Sequence, residues 1–328
     1  MQRNHVMKTY LFILLMVVGG LLMPSTARTA SEHRGVSGGL VRLMIDGHDE
    51  EALPRNFRKM SNPLRQTGEK PPSVVGLSSL RASGSGQFST KELVALRKAL
   101  GKGPAIIVDL RQESHGFVNG IALSWCGEGN CVNLGKSREE VLKDEQGQLD
   151  DLKKKQRITA CEFKSRKTNS PGQFVPEEMK PRKVMSEVEL ARASGFGYMR
   201  FPIPDHRRPQ DDEVDRFVAF VRELPEGTWL HFHCRAGVGR TTTFLAMYDM
   251  MQNASRVSLA DIIRRQVLLG GMDLSIKSAM AVEGDLAPYS LERAEFVARF
   301  YDYCRANTDK FKTPWTACKD LTPDERSP

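Results

Sequence analysis

The stretch HFHCRAGVGRTTT, His231–Thr243, places a cysteine and an arginine at the two ends of a glycine-containing loop. An apolar strand pattern precedes this loop and a helical pattern follows it. Glycine adopts backbone dihedrals that other residues resist, so Gly237 and Gly239 let the loop turn its amide groups inward. Inward amides next to a helix N-terminus bind anions. The stretch therefore predicts a strand–loop–helix unit with an anion cradle at its centre.

Strand and helix patterns alternate along much of the chain. Ser89 and Glu92 form a capping box before a helix, and the apolar run Ala105–Leu110 after it is typical of a buried strand. Further strands are predicted at YMRFPI and WLHFH, and further helices are predicted to begin near Ser186, Pro209, Thr241, Ser258 and Leu291. This alternation predicts an α/β fold with a central, mostly parallel sheet and helices on both faces. Ligands of such sheets bind at the carboxyl ends of the strands, where the opening stretch lies.

Composition divides the chain into four parts. Residues 1–27 form a predicted signal peptide, and residues 28–72, rich in charge, Gly and Pro, are expected to form an irregular arm packed on the core. The main domain is expected to consist of residues 73–124 and 184–328. Between these two segments, residues 125–183 carry a polar helical pattern and the strand pattern RITACEF. We therefore expect a small inserted, β-rich subdomain there.

The N-terminus has the features of a secretory signal. Basic residues precede an unbroken apolar run, Leu11–Met23, and small residues follow, with the best cleavage site after Ala27. The run is short for a membrane span, and an uncleaved anchor is the alternative. We expect a periplasmic or secreted protein without stable membrane association after cleavage of the signal.

The chain is moderately basic, with 48 Lys and Arg residues against 40 Asp and Glu and a formal net charge of +8. Such a balance suits nucleic acid, acidic lipid or a small polyanion. No recognisable nucleic-acid-binding motif accompanies the charge, and aromatic residues make up only 7% of the chain. We therefore expect a small polyanionic ligand and no nucleic acid.

The six cysteines are Cys126, Cys131, Cys161, Cys234, Cys304 and Cys318. An even number in an oxidising compartment indicates up to three disulfides. If Cys234 stays a thiol, at least one of the other five is unpaired, and the pairing stays open. Cys126 and Cys131 could close a small loop or could both be free. No spacing matches a Cys/His zinc site, so no metal site is expected.

The residue types in the loop match the needs of nucleophilic catalysis. Cys234 opens the loop and faces the positive field of the inward amides, which favours a thiolate. Arg240 closes the loop with a planar fork that can hold two phosphate oxygens. The hydroxyl of Thr241 can donate to the sulfur when it leaves. Backbone contacts to the anion are expected from the residues between them, Arg235, Ala236, Gly237, Val238 and Gly239.

Cleavage of a phosphomonoester also needs a general acid, because an alkoxide is a poor leaving group. Asp205 lies in the proline-rich segment PIPDHRRP after a strand pattern, 29 residues before Cys234. A loop at the end of a strand suits a movable acid. Asp205 is therefore the predicted general acid.

Three segments together resemble a known enzyme family. They are the loop H-C-x5-R-[ST], an aspartate–histidine pair and the segment DLRQESHG, at His233–Thr241, Asp205–His206 and Asp109–Gly116. The loop alone resembles that of cysteine-dependent phosphatases. All three segments resemble the bacterial protein-tyrosine-phosphatase-like (PTP-like) phytases specifically. The resemblance covers about residues 53–319 and is thin over residues 126–183.

This resemblance implies a PTP-like fold and a phosphatase that needs neither metal nor cofactor. It would hydrolyse phosphomonoesters of myo-inositol polyphosphates through a phosphocysteine intermediate. Asp205 would protonate the leaving oxygen and later activate water, His206 would contact the substrate, and His233 would brace the loop. Many members of the family carry an acidic residue after the nucleophile, where this chain has Arg235.

A polyphosphorylated substrate needs positive charge beyond one arginine. The segment LPRNFRK offers three cations, of which Arg58 is the preferred pocket residue, and Lys277 in LSIKS is a further candidate. Asp109 is expected to shape the pocket or to contact an inositol hydroxyl. Gln266 is a candidate for positioning the attacking water.

Other functions share parts of this pattern. A protein-tyrosine, dual-specificity or phosphoinositide phosphatase would use the same loop and the same acid. A sulfur-transfer or arsenate-reducing enzyme would have little use for Asp205. A non-catalytic inositol-phosphate-binding protein of this fold would be expected to lack the nucleophile, the arginine or the acid, and all three are present here.

Overall fold

The computed structural model describes residues 33–34, 40–127, 132–164 and 173–318. The predicted signal peptide lies outside the described residues. Within these ranges, none of the helices has the length and apolar content that a membrane crossing requires.

A five-stranded sheet forms the centre of the fold. In spatial order its strands are β11 (Gly197–Ile203), β5 (Ala105–Arg111), β12 (Trp229–His233), β4 (Ala82–Ser85) and β3 (Arg58–Lys59). The first four strands are parallel, and β3 is antiparallel to β4. Nearly all of β5 is buried, as expected for a parallel strand that is covered on both faces.

Helices cover both faces of this sheet. On one side are α1 (Thr90–Leu100) and α3 (Glu187–Ala193), whose leucines share a core with Ile107 of β5. The other side holds α4 (Asp211–Arg222), α5 (Gly239–Asn253), α6 (Leu259–Leu268) and α8 (Ala287–Ala306). These four helices share a second core with Val108 and Leu110. The remaining helical segments are α7 (Ile276–Met280), a 3-10 turn (Gly284–Leu286) and α9 (Trp315–Cys318). The predicted α/β architecture is confirmed.

A second sheet lies beside the first. In spatial order its strands are β10 (Val184–Met185), β6 (His115–Val118), β7 (Ile121–Cys126), β2 (Leu40–Gly47), β8 (Ile158–Lys164) and β9 (Gln173–Met179), and β1 (His33–Arg34) pairs with β2. The pairing is antiparallel except between β2 and β8. The long helix α2 (Arg138–Lys154) covers one face through Leu149 and Leu152.

The second sheet is not confined to residues 125–183, where the β-rich subdomain was expected. It takes β6 and most of β7 from residues 73–124. It takes β2 from residues 28–72, so that segment is not irregular throughout. In β2 the apolar residues Val41, Leu43 and Ile45 pack in the core under α2. The side chains between them point to the opposite face because strand residues alternate. The pairing partners of β2 are distant in sequence, so local composition did not reveal it.

Candidate active site

Cys234 follows β12 and lines a cavity of about 620 Å³. Its side chain is only 3% exposed. The backbone N–H of Gly237 and the hydroxyl of Thr241 each donate to Cys234 Sγ over 3.2 Å. Hydrogen bonds to a charged acceptor are stronger than those to a neutral one, so both donors stabilise a sulfur anion.

Gly237 allows the loop to pass close to β4. Its φ is +77°, a conformation that side chains strain. A Cβ atom at this position would lie 2.2 Å from the backbone nitrogen of Gly86 and 2.3 Å from the carbonyl carbon of Ser85. Both the dihedral and the close approach therefore require glycine.

Arg240 is held by a buried carboxylate. Its two terminal nitrogens lie 2.7 and 2.9 Å from the two carboxylate oxygens of Glu113, and Nη1 also donates to the carbonyl of Ile203 over 3.0 Å. Burial alone would lower the pKa of Arg240, but Glu113 raises it well above its usual value. The guanidinium is thus charged and fixed next to the loop.

Glu113 is a site residue that sequence reasoning missed. It follows the carboxyl end of β5, inside the segment DLRQESHG. Burial alone would raise the pKa of Glu113, but Arg240 and Arg111 hold it well below its usual range. A signal was present, because an acid just after a buried strand lies at the ligand-binding edge of a parallel sheet.

Asp205, the predicted general acid, lies in the cavity beside Arg240. Its Oδ1 is 3.0 Å from Arg240 Nη2, and it lines the same cavity as Cys234. His206 also lines the cavity, and its φ of +61° places it in the left-handed region. The structure therefore brings the predicted nucleophile, arginine, acid and histidine to one cavity.

Three more arginines line this cavity, Arg55, Arg235 and Arg293. Arg235 pairs with Asp46, whereas no carboxylate of the described residues lies within 4.0 Å of a nitrogen of Arg55 or Arg293. Burial, followed by Arg240, lowers the pKa of Arg293. Arg293 comes from α8 and had no sequence signal, because nothing local distinguishes it from other helical arginines.

Arg58, the preferred pocket cation, braces the loop instead of lining the cavity. It is 3% exposed, and Nη1 donates to the carbonyl of Gly237 over 2.8 Å while Nη2 donates to Thr242 Oγ1 over 3.0 Å. Burial lowers the pKa of Arg58 to about 10. In LPRNFRK it is therefore Arg55 that lines the cavity, because β3 directs Arg58 towards the back of the loop.

Lys277 and Gln266 are not brought to the cavity wall. Lys277 is an exposed residue of α7, and it is not among the cavity-lining residues. Gln266 is completely buried in α6, where its side-chain amide donates to Met60 Sδ over 3.6 Å. This burial leaves Gln266 without the access to water that its expected role requires.

Asp109 and His233 lie in a buried cluster behind the cavity. The Asp109 carboxylate accepts from the hydroxyl of Tyr198 over 2.7 Å and lies 3.1 Å from Arg200 Nε. His233 Nε2 lies 2.6 Å from Glu187 Oε1. Neither Asp109 nor His233 lines the cavity. Asp109 is therefore placed to support the site and not to contact a ligand, and the position of His233 fits a bracing role.

Among the described residues, Asp109, Glu187 and His233 are close enough to hold a metal ion, with ligand atoms within 4.8 Å of one another. His115 Nε2 already lies 3.2 Å from a carboxylate oxygen of Asp109 and of Glu187. Burial alone would lower the pKa of His115, but Asp109 raises it to about 10. Because protonated His115 and Arg200 balance these carboxylates, we interpret the cluster as a structural ion-pair network.

The other cysteines were candidates for disulfides. Cys126, Cys161 and Cys304 are free in the structure, and Cys131, the candidate partner of Cys126, lies outside the described residues. Burial raises the pKa of Cys126 to about 11 and that of Cys304 well above its usual value. Both thiols are therefore protonated and weakly nucleophilic near neutral pH.

Comparison with known proteins agrees with this geometry. The family model for PTP-like phytases matches residues 108–252, and the description of that family names inositol hexakisphosphate. A solved PTP-like phytase from Bdellovibrio bacteriovorus is 35% identical, with 84% of this chain and 94% of that chain covered and a TM-score of 0.64. The chain belongs to the PTP-like phytase family. The resemblance read from the three sequence segments is confirmed, as is the PTP-like fold.

Further known proteins are also similar. The tandemly repeated PTP-like phytase of Mitsuokella multacida is 40% identical, with a TM-score of 0.74 over 84% of this chain and 48% of that chain. The PTP-like myo-inositol phosphatase of the same organism, solved with myo-inositol-(1,3,4,5)-tetrakisphosphate, is 39% identical, with the same coverage. Effector protein hopD2 of Pseudomonas syringae pv. tomato is 33% identical over 246 residues, 74% of this chain and 52% of that protein. The present chain spans about half the length of these relatives.

Proposed function

We propose that the protein is a cysteine-dependent phosphatase that hydrolyses phosphomonoesters of myo-inositol polyphosphates. The observation that carries this proposal is the convergence of Cys234, Arg240 and Asp205 on one cavity that three further arginines line. These groups supply a nucleophile, an oxyanion cradle and an acid, so the proposed reaction needs no metal ion.

In the first step, the thiolate of Cys234 attacks the phosphorus of a phosphate held by the loop amides and the Arg240 fork. The sulfur–phosphorus bond forms as the bond from phosphorus to the ester oxygen breaks. Asp205, protonated at this stage, gives its proton to the leaving alkoxide. The contact between Asp205 and Arg240 places the acid within reach of the same phosphate.

In the second step, Asp205 as a carboxylate takes a proton from water, which attacks the phosphocysteine. The sulfur–phosphorus bond breaks and inorganic phosphate is formed. The leaving sulfur is received as an anion by the two donors already in place, the amide of Gly237 and the hydroxyl of Thr241. The enzyme returns to its starting state.

The charge of the cavity supports a substrate with several phosphates. Arg55 and Arg293, for which the described residues provide no carboxylate within 4.0 Å, contribute positive charge beyond the loop arginine. Positive charges that line one cavity repel each other, and an anionic ligand relieves this repulsion. A compact polyol that carries several phosphates fits such a cavity better than a single phosphate does.

The test is phosphate release from inositol hexakisphosphate by the wild type and two variants. Cys234→Ser should abolish release, and Asp205→Asn should lower kcat by about 10²- to 10⁴-fold because proton transfer to the leaving group is lost. The exposed Glu139→Gln serves as a control and should leave kcat unchanged. Phosphate release that survives in Cys234→Ser would rule out the nucleophile proposed here.

A second candidate function is hydrolysis of aromatic phosphate esters. Phe163 and Phe174 line the cavity, their ring centroids are 5.3 Å apart, and about half of each side chain is exposed. Exposed rings at a phosphate site could pack against an aryl group. The kcat/KM values for inositol hexakisphosphate and a phosphotyrosyl peptide separate the candidates, and a peptide preferred by orders of magnitude would overturn the phytase proposal.

A further inference from the structure

Arg235, the second residue of the loop, is held by a strand of the second sheet. Its Nε donates to Asp46 Oδ1 in β2 over 2.8 Å, and Asp46 Oδ2 lies 2.9 Å from Arg111 Nη1. Burial alone would raise the pKa of Asp46, but Arg111 and Arg235 hold it below its usual value. Asp46 is therefore a buried carboxylate shared by two guanidinium groups.

The terminal nitrogens of Arg235 are available to a ligand. Within the described part of the chain, its side chain makes one hydrogen bond, from Nε to Asp46, and it lines the cavity with 28% of its surface exposed. Fixing Nε removes much of the rotamer freedom of this side chain before any ligand binds. The remaining N–H groups of the planar fork suit the oxygens of a phosphate.

Arg55 adds a second cation on the same side of the cavity. Its Nη2 donates to the backbone carbonyl of Arg235 over 2.5 Å. Burial lowers the pKa of Arg55, but a guanidinium remains protonated in proteins. Arg111, the other partner of Asp46, also lies 2.9 Å from Glu113 Oε1. Arg55 has no carboxylate of the described residues within 4.0 Å, so it adds positive charge to this flank of the cavity.

We propose that Arg235 and Arg55 form a second phosphate subsite beside the loop, with Asp46 as the residue that positions Arg235. The subsite takes a phosphate on a carbon near the ester that is cleaved. It therefore selects compact polyols with at least two neighbouring phosphates. This inference rests on the proposed function and adds to it the requirement for a second phosphate.

A purely structural role for Arg235 makes a different prediction. If the Asp46–Arg235 pair only connects the second sheet to the loop, loss of Arg235 disturbs the loop and lowers the activity on every substrate alike. A subsite role lowers the activity mainly on substrates whose second phosphate it contacts.

The experiment compares two substrates, inositol hexakisphosphate and para-nitrophenyl phosphate, which has one phosphate and no neighbour. For Arg235→Gln, kcat/KM on inositol hexakisphosphate should fall by about 10- to 100-fold, mostly through KM, because a charged hydrogen-bond donor is lost. On para-nitrophenyl phosphate the fall should not exceed about threefold. Arg192→Gln, an equal change of charge at an exposed position of α3, is the matched control.

Two further variants keep the test decisive if Arg235→Gln is poorly folded. Arg235→Lys retains the charge without the fork and should give an intermediate loss on inositol hexakisphosphate. Asp46→Asn should raise KM on inositol hexakisphosphate more than on para-nitrophenyl phosphate, because Arg235 is no longer held. Equal losses on both substrates overturn the subsite. If the wild type does not hydrolyse inositol hexakisphosphate but hydrolyses para-nitrophenyl phosphate, the proposed function fails instead.

Discussion

At the scale of single residues, the motif located the reacting groups but not the residues that hold them. Cys234, Arg240 and Thr241 lie within one short segment, so their spacing carried the information. Glu113 and Asp46 act on that segment from distant parts of the chain. Their partners are set by sheet packing, which no local pattern describes.

The hold of Glu113 on Arg240 leads to a first prediction. Glu113→Gln leaves two buried arginines, Arg240 and Arg111, without one of their carboxylates. We expect unfolding to become easier by about 3 to 5 kcal/mol, as for other broken buried ion pairs. We also expect kcat to fall by at least about tenfold, because the fork of Arg240 loses its fixed orientation. Thermal denaturation and phosphate release measure the two effects.

Glu139→Gln is the matched control for this prediction, since that side chain is 79% exposed on α2. It should change neither quantity. Wild-type kcat in the Glu113→Gln variant would contradict a positioning role for Glu113.

At the scale of elements, prediction succeeded where the signals were local. The predicted capping box at Ser89 begins α1, and the helix predicted near Ser186 begins there as α3, with each serine accepting from a backbone N–H three residues on. The strand β2 was not predicted, because apolar and polar residues alternate only in part along its eight residues and its partner strands are distant in sequence. Pairing between distant strands, not propensity, decides that element.

Glycine-to-alanine substitutions in the loop and in helix α2 should have opposite effects. Gly237→Ala would place a Cβ against Ser85 and Gly86, so the loop must shift and phosphate release should fall by more than about tenfold. Gly147→Ala lies inside α2 with nothing within 4 Å of the new Cβ. It should stabilise the protein by about 0.5–1 kcal/mol.

Denaturant unfolding and initial rates on both glycine variants check this pair of expectations. A Gly237→Ala enzyme with normal rates would show that the close approach to β4 is not needed for activity. A destabilised Gly147→Ala protein would contradict the helix interior assigned to that position.

At the scale of the whole molecule, the cavity collects residues from much of the chain. The family match covers residues 108–252, yet Asp46, Arg55 and Arg293 lie outside it. The sequence motifs that indicated the chemistry all lie within this range. The arginines that add charge to the cavity could not be assigned, because their positions depend on how the second sheet and α8 pack around the loop.

The excess of arginines predicts a dependence on salt. Attraction between partly exposed charges weakens as the screening length falls from about 10 Å at 0.1 M to about 3 Å at 1 M ionic strength. KM for inositol hexakisphosphate should therefore rise steeply over this range, while KM for para-nitrophenyl phosphate should rise less. Equal slopes for the two substrates would argue against several cations acting on one substrate.

The buried network behind the cavity predicts a dependence of stability on alkaline pH. The pKa of His115 is raised from 6.5 to about 10 when the protein folds, chiefly by Asp109 against the effect of burial. Its contribution to stability is complete below pH 6.5 and is lost as the pH rises through about 10. Melting temperatures should fall between pH 7 and pH 10, and His115→Gln should flatten this fall. A fall of the same size in the variant would assign it to other groups.

The central place of β2 in the second sheet has a consequence for biosynthesis. This strand leaves the ribosome before either of its main neighbours, β7 at Ile121–Cys126 and β8 at Ile158–Lys164, has been made. Until then its edges have no partner from these strands, and unpaired edges attract other extended chains. More than a hundred further residues must therefore be translated before both edges of this strand can be paired.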